Sequence, residues 1–402
     1  MTEVVDQSLP AFPMTRRCPY APPAEYQEMR EQAALSQVEL PSGGKAWVIT
    51  RHEEVRAMLT DPRFSSDRTD PRFPQLVAGA RNRSDFTPSL IGMDPPEHTQ
   101  ARRAVVGEFT VKRMQALQPK IQQIVDEHID TMLAGPKPVD LVAALALPVP
   151  SLVICELLGV PYGDHAFFQQ HSGALLRRSS APEERHTAIT ALMSYLDELV
   201  TAKEQDPGDD LLGRQVLKQR ETDTVDHRGL VGLAFLLLLA GHETTSNMIS
   251  LGTMILLERP EALATINEHP DRTLGAVEEL LRYFTIADTV TARLAVEDVE
   301  IGGQLVRAGE GVIALGYAAN RDPAVFEQPD ELDLERGARH HVAFGFGAHQ
   351  CLGQNLARLE LEIVFNTLFR RISGLKLAAP AAELMFKDDS VVYGLVELPV
   401  TW

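Results

Sequence analysis

Phe344-Gly345-Phe346-Gly347-Ala348-His349-Gln350-Cys351-Leu352-Gly353 is the stretch on which the reading of this 402-residue chain turns. Three glycines within nine residues let backbone come very close to something flat. Leu352, Leu356, Leu359 and Ile363 fall at helical spacing and predict a helix from about Leu352 to Arg371. Cys351 therefore stands at a helix N-terminus, where the macrodipole and free N–H groups favour a thiolate. A thiolate so placed is a nucleophile or a metal ligand. The nucleotide fingerprint Gly-x-Gly-x-x-Gly fails, because Gln350 takes the sixth position and no clear strand precedes it. His349, with His340 and His341 further upstream, fits no common zinc spacing. A cysteine hydrolase, whose base would lie elsewhere in the chain, stays open.

The other two thiols carry less. Cys155 lies in the apolar run Leu152–Leu158 and reads as a small core residue. Cys18 sits in a Pro-rich N-terminal segment. Three cysteines make no disulfide framework and suit a reducing cytoplasm. A net charge of −18 argues against nucleic acid or an anionic membrane as partner through the overall field. The start, MTEVVDQSLPAFP, has neither a basic nor an apolar signal region. The longest apolar run, Leu230 to Gly241, is short for a bilayer span and reads as a buried helix.

Residues 1–45 read as irregular because of their prolines. Ala46–Thr50 reads as a strand, His52–Leu59 as a helix, and 61–93 as a long loop, a feature often tied to function. At Asp94-Pro95-Pro96-Glu97 a helix start is expected, with Asp94 as cap. Helices are expected at 117–134, 140–159, 164–178, 185–204, 228–259 and 273–284. Val299–Val306, with Gly302-Gly303 at its centre, reads as a hairpin, and Gly311–Leu315 and Val391–Trp402 as strand. The fold class is mainly α, with a minor β part drawn from both ends of the chain.

Some residues need partners. Glu279 and Arg282 are three apart on one helix face and can pair. Ala240-Gly241-His242-Glu243-Thr244-Thr245 places polar groups in mid-helix, where burial demands hydrogen bonds. A zinc-protease His-Glu-x-x-His fails there, because Ser246 is the fifth residue. His98 and Arg102, four apart, share a face.

The ten residues from Phe344 to Gly353 resemble the haem-binding loop of the cytochrome P-450 monooxygenases, a motif with five fixed positions. The resemblance runs from about Ala46 to the C-terminus and points to the soluble bacterial branch that tailors secondary metabolites and oxidises foreign compounds. It implies a triangular prism, with a helix-rich lobe and a small β-rich lobe around a buried haem, formed by one catalytic domain over 1–402. It implies haem b with Cys351 as axial thiolate, packed by Phe344, Gly345, Gly353, Ala240 and Gly241, the last letting haem or O2 approach the backbone. His98, Arg102, Arg293 and His349 match propionate-binding positions. Glu279, Arg282 and Arg336 match a buried structural trio behind the cysteine. Glu243 would relay protons and Thr244 would donate a hydrogen bond to the oxygen being activated.

The implied activity is insertion of one oxygen atom from O2 into a bulky apolar organic substrate. Leu237, Ala240, Ile286, Ala287, Thr289 and Val391 are the expected pocket linings. The chain ends at Trp402 with no flavin domain, and three cysteines cannot hold a four-cysteine cluster. A separate ferredoxin and ferredoxin reductase are therefore expected as electron donors, with Arg103, Lys112 and Arg113 as docking candidates on a monomer. A peroxide-driven relative or a non-catalytic haem protein is the alternative, and the Glu243–Thr244 pair argues against both.

Overall fold

The computed structural model describes residues 9–76, 89–223, 225–287 and 291–402. In chain order the helices are α1 (Ala24–Gln32), α2 (His52–Thr60), α3 (Glu97–Val105), α4 (Val111–Ala134), α5 (Pro148–Leu158), α6 (His165–Leu176), α7 (Pro182–Gln205), α8 (Leu211–Arg220), α9 (His227–Gly241), α10 (Glu243–Leu257), α11 (Pro260–Glu268), α12 (Thr273–Phe284), α13 (Gly316–Ala319) and α14 (Gln354–Arg371). The strands are β1 (Leu35–Glu39), β2 (Lys45–Ile49), β3 (Phe64–Ser65), β4 (Val139–Asp140), β5 (Ala292–Ala295), β6 (Val299–Ile301), β7 (Gln304–Val306), β8 (Gly311–Ala314), β9 (Lys376–Leu377) and β10 (Pro399–Thr401).

One five-stranded sheet has the order β1-β2-β8-β5-β3. Its β2–β8 pair is parallel, with Ala46 opposite Gly311 and Ile49 opposite Ala314. Residues near 50 and near 310 thus share one sheet, which is why the β part comes from both ends of the chain. The helices pack round α10, where Met248, Ile249, Leu251, Met254 and Leu256 are buried. Each such side chain contributes roughly 1.5–3 kcal/mol of burial. Gly252 permits a close approach in this core, since a Cβ there would lie 2.6 Å from the Phe365 ring of α14.

Several elements differ from the sequence reading. The segment 1–45 is not irregular throughout: its early prolines end at Pro23, just ahead of α1, and β1 takes its register from β2. That pairing is non-local and leaves little trace in the local pattern. Helix α4 begins at Val111, capped by Thr110, and carries Pro119 inside it. Asp210 caps the unanticipated α8, and Pro260 opens α11 besides closing α10. Asp94 does not cap a helix: α3 starts at Glu97, and the Asp94 carboxylate accepts from the Ser66 N–H at 2.7 Å and from the Ser65 hydroxyl. The terminal stretch is strand only at Pro399–Thr401. The expected helix 228–259 is broken at His242. By length and composition His227–Leu257 could cross a membrane, yet half of its apolar window is buried within the fold.

Candidate active site

The cysteine loop is held from both sides. The Cys351 N–H donates to the Phe344 carbonyl at 2.8 Å. Gly345 and Gly347 have φ of 69° and 72°, which favour glycine. Gly347 also meets the end of α2, where a Cβ would lie 2.6 Å from the Leu59 carbonyl oxygen. A Cβ at Gly353 would meet no protein atom within 4 Å. Burial pushes the Cys351 thiol up, while the Gly353 N–H, Arg102 and Arg358 favour the thiolate. A sulfur so placed is poised to be an anionic ligand once a metal cation compensates its burial. Among the described residues no three His, Cys, Asp or Glu side chains are grouped to hold a metal by themselves. Cys155 is a core residue, with burial pushing its thiol up to about 12.

Behind the loop, the trio of Glu279, Arg282 and Arg336 is assembled. Arg282 donates to both Glu279 carboxylate oxygens, at 2.7 and 2.8 Å, and Arg336 Nε donates to one of them at 3.2 Å. The Glu279 and Arg282 side chains are fully buried. Arg282 also donates to the carbonyls of Asn320, Pro329 and Glu331, pinning the irregular segment that leads to Cys351.

A second network was missed. Glu278, beside Glu279 on α12, accepts from Arg358 Nε at 2.5 Å and faces His341 Nε2 at 3.1 Å. The Ala343 N–H donates to His341 Nδ1, so the ring proton sits on Nε2 and points at the carboxylate. Arg358 lies over the Phe344 ring, 4.6 Å from its centre. Burial would raise the Glu278 carboxyl, but His341 and Arg358 outweigh it and hold it down to about 2. The sequence signal was the Glu278-Glu279 doublet itself: neighbours on a helix diverge, so one anchor cannot use both.

His98, Arg102, Arg293 and His349 come together, and Arg68 joins them. The His98 and His349 rings are 3.9 Å apart. His98 is buried, and neither ring nitrogen has a hydrogen-bond partner among the described residues. Arg102 donates to the Gln350 carbonyl at 2.5 Å, and Ser66 Oγ lies 3.1 Å from His349 Nε2. Burial, reinforced by Arg68, lowers the Arg293 guanidinium to about 10. Burial, then Arg293, His98, Arg102 and Arg68, pushes the His349 imidazole down to about 3. Basic groups that repel one another around orphaned buried nitrogens form a seat for anionic ligand groups. The two propionates of a haem fit that seat, beside a cysteine sulfur suited to the iron.

At the break between α9 and α10, Ala240 is exposed although its helix runs through the middle of the fold, so this face borders a cleft. Thr244 Oγ1 donates to the Ala240 carbonyl at 2.9 Å. Glu243 is paired with Lys387 Nζ at 2.9 Å, and Lys387 also donates to Asn247 Oδ1 at 2.9 Å. The lysine partner was not foreseen. Gly241 also has a packing role: a Cβ there would lie 3.0 Å from Ile154 Cδ1, so its smallness lets α9 close on α5. Of the expected pocket residues, Ile286 and Val391 line one cavity of about 200 Å³ with Arg16, Lys387 and Tyr393. Leu237 is buried on α9, Ala287 is half-buried, and Thr289 lies outside the described residues.

A cysteine at a glycine-shaped loop, a buried cationic seat beside it, and an acid–alcohol pair in a broken central helix together define a haem-thiolate oxygenase. The chain belongs to the cytochrome P450 family: residues 166–376 match the family described as Cytochrome P450. It is 52% identical to pentalenic acid synthase of Streptomyces avermitilis, over 98% of this chain and 97% of that one. The crystal structure of cytochrome P450 MoxA from Nonomuraea recticatena superposes with a TM-score of 0.91 at 59% identity, covering 98% of each chain. The mycinamicin VIII C21 methyl hydroxylase of Micromonospora griseorubida, solved with mycinamicin VIII bound, gives 0.93 at 42% identity over 98% of this chain and 100% of that one. The chain thus has the P450 fold and is a monooxygenase using haem with an axial thiolate, Cys351.

Proposed function

We propose that this chain, working as a single catalytic domain, oxidises a bulky apolar secondary metabolite or foreign compound, with Glu243 and Thr244 governing proton delivery. The observation that carries this reading is the broken helix, which puts Glu243, paired with Lys387, and Thr244, bonded to the carbonyl of the exposed Ala240, in the turn that follows the break. Bound haem supplies the iron at which O2 is activated, and the protein supplies ligand, protons and pocket. Cys351 holds the iron. His98, Arg102, Arg293 and His349, with Arg68, hold the propionates. Phe344, Gly345 and Gly353 shape the loop beneath the ring, and Glu279, Arg282 and Arg336 hold that loop's approach. Leu237, Ala240, Ile286, Ala287 and Val391 offer apolar surface to substrate. The relatives named pentalenic acid synthase and mycinamicin VIII C21 methyl hydroxylase suit that substrate class.

Glu243 stands between the cleft and Lys387, which lines the 200 Å³ cavity, and so can take a proton from water there and present it toward Thr244. Electrons come from a separate ferredoxin and its reductase. Arg103, Lys112 and Arg113 are exposed and could receive an acidic partner. We place the enzyme in the cytoplasm as a monomer, consistent with its three free cysteines. In Thr244→Ala, reductant consumption should continue while product falls and hydrogen peroxide rises in proportion. Tightly coupled turnover in that variant would remove Thr244 from proton delivery.

A further inference from the structure

His242 interrupts the central helix and is buried, at 1% exposure. Its Nδ1 lies 2.7 Å from the Leu238 carbonyl, the acceptor that its own main-chain N–H would use in an unbroken helix. A carbonyl only accepts, so Nδ1 carries a hydrogen. Burial disfavours the charged ring. Nε2 therefore keeps its lone pair, and it lies 2.8 Å from the Ser172 hydroxyl of α6. That hydroxyl is also 2.7 Å from the Phe168 carbonyl. A carbonyl has two lone pairs and accepts from Ser172 as well as from the α6 ladder, so the single Ser172 hydrogen is shared between the Phe168 carbonyl and His242 Nε2.

One turn further along α6, the Leu176 carbonyl accepts from the Val391 N–H at 3.0 Å, and Arg178 N–H donates to the Asp389 carbonyl at 2.7 Å. Val391 lines the cavity, and Lys387 in the same segment reaches back to Glu243. The contacts close a ring: cavity wall to α6, α6 through Ser172 to the helix break, and the break through Glu243 to the cavity wall.

We propose that His242 is a positioning residue for Thr244, fastening the break between α9 and α10 to α6 through Ser172, so that the cavity wall and the oxygen-activating alcohol are held as one unit. Ser172 is the second member of that fastening. The functional meaning rests on the Thr244 reading above, whereas the fastening itself does not.

The test is amide hydrogen exchange across residues 239–246 in the full-length, haem-loaded protein. Ser172→Ala and His242→Phe should each speed exchange there at least tenfold, and the double variant should go no further than the larger single change, because both cut one chain. Ser172→Thr, which keeps the hydroxyl, should restore slow exchange. Thr244→Ala cuts only the bond to the Ala240 carbonyl and leaves the Ser172–His242 contact in place, so it should speed exchange less than either variant. Unchanged exchange in Ser172→Ala, or equal acceleration in Ser172→Ala and Ser172→Thr, overturns the proposal. A fully coupled Thr244→Ala would sink the proton-delivery reading alone and leave the fastening standing.

Discussion

Arg293→Met should move two properties in opposite directions. Arg293 is 5% exposed, and its one described hydrogen bond goes to the neighbouring Ala292 carbonyl at 2.8 Å. Burial and Arg68 lower its guanidinium well below the ordinary arginine value, to about 10. At 1.36 kcal/mol per pH unit, that drop corresponds to a destabilisation of about 3 kcal/mol. At neutral pH the group is charged in both folded and unfolded chains. The cost is therefore fully present at pH 7 and fades only as pH rises through about 10 toward the ordinary arginine value. Methionine keeps most of the volume and removes the charge. Losing the Ala292 bond gives back roughly 1 kcal/mol, so the haem-free variant should gain about 2 kcal/mol in stability. The haem-loaded variant loses a charge-assisted bond to a propionate, worth roughly 1.5–3 kcal/mol, and should bind haem about 10- to 100-fold more weakly. Denaturant unfolding of haem-free protein reads the first effect, and haem transfer to an acceptor apoprotein reads the second. If Arg293→Met destabilises the haem-free protein, or leaves haem affinity untouched, the cationic cluster is not an anion seat.

Three further outcomes follow from the site. Cys351→Ala should abolish activity and the far red-shifted Soret band of the reduced CO complex; a surviving band would identify another ligand. Lys387→Met should slow turnover at saturating substrate roughly fivefold, about 1 kcal/mol, with substrate affinity little changed, because Glu243 loses the cation that holds it; a change confined to affinity would place Lys387 in substrate binding instead. Glu278 is a carboxyl held below its usual range, so it stabilises the fold above about pH 4.5 and that contribution fades as pH falls toward about 2. Glu278→Gln should cost on the order of 3 kcal/mol at pH 7, with the gap to wild type narrowing as unfolding is followed below pH 4; a constant gap would show that the charge is not what matters.

What could be read from the letters divides by how far apart the interacting groups lie in the chain. Phe344 to Cys351 is one contiguous loop that its motif marks, and Glu279 with Arg282 is one helix turn, so spacing alone proposed that pair. Lys387 lies 144 residues from Glu243, Arg358 lies 80 from Glu278, and His242 lies 70 from Ser172. No periodicity connects such pairs. Burial hides meaning in the same way. Arg293 and His98 read like ordinary surface charges until the fold carries them inside, and only there does the lack, among the described residues, of partners for the His98 nitrogens, and of a paired anion for Arg293, become informative. Arg68 escaped because it sits in a segment that reads simply as loop. The helix break is the intermediate case: the polar run at 240–245 signalled groups in need of partners, but the residue that satisfies the Leu238 carbonyl, His242, could be chosen only once Nδ1 was seen beside it. A motif therefore marks where chemistry occurs. The long-range polar partners, each individually unremarkable in sequence, determine whether ligand, cationic seat and alcohol stay in register while the pocket fills and empties. For this reason, substitutions at Ser172 or Lys387 should alter the fate of electrons more than the affinity for substrate.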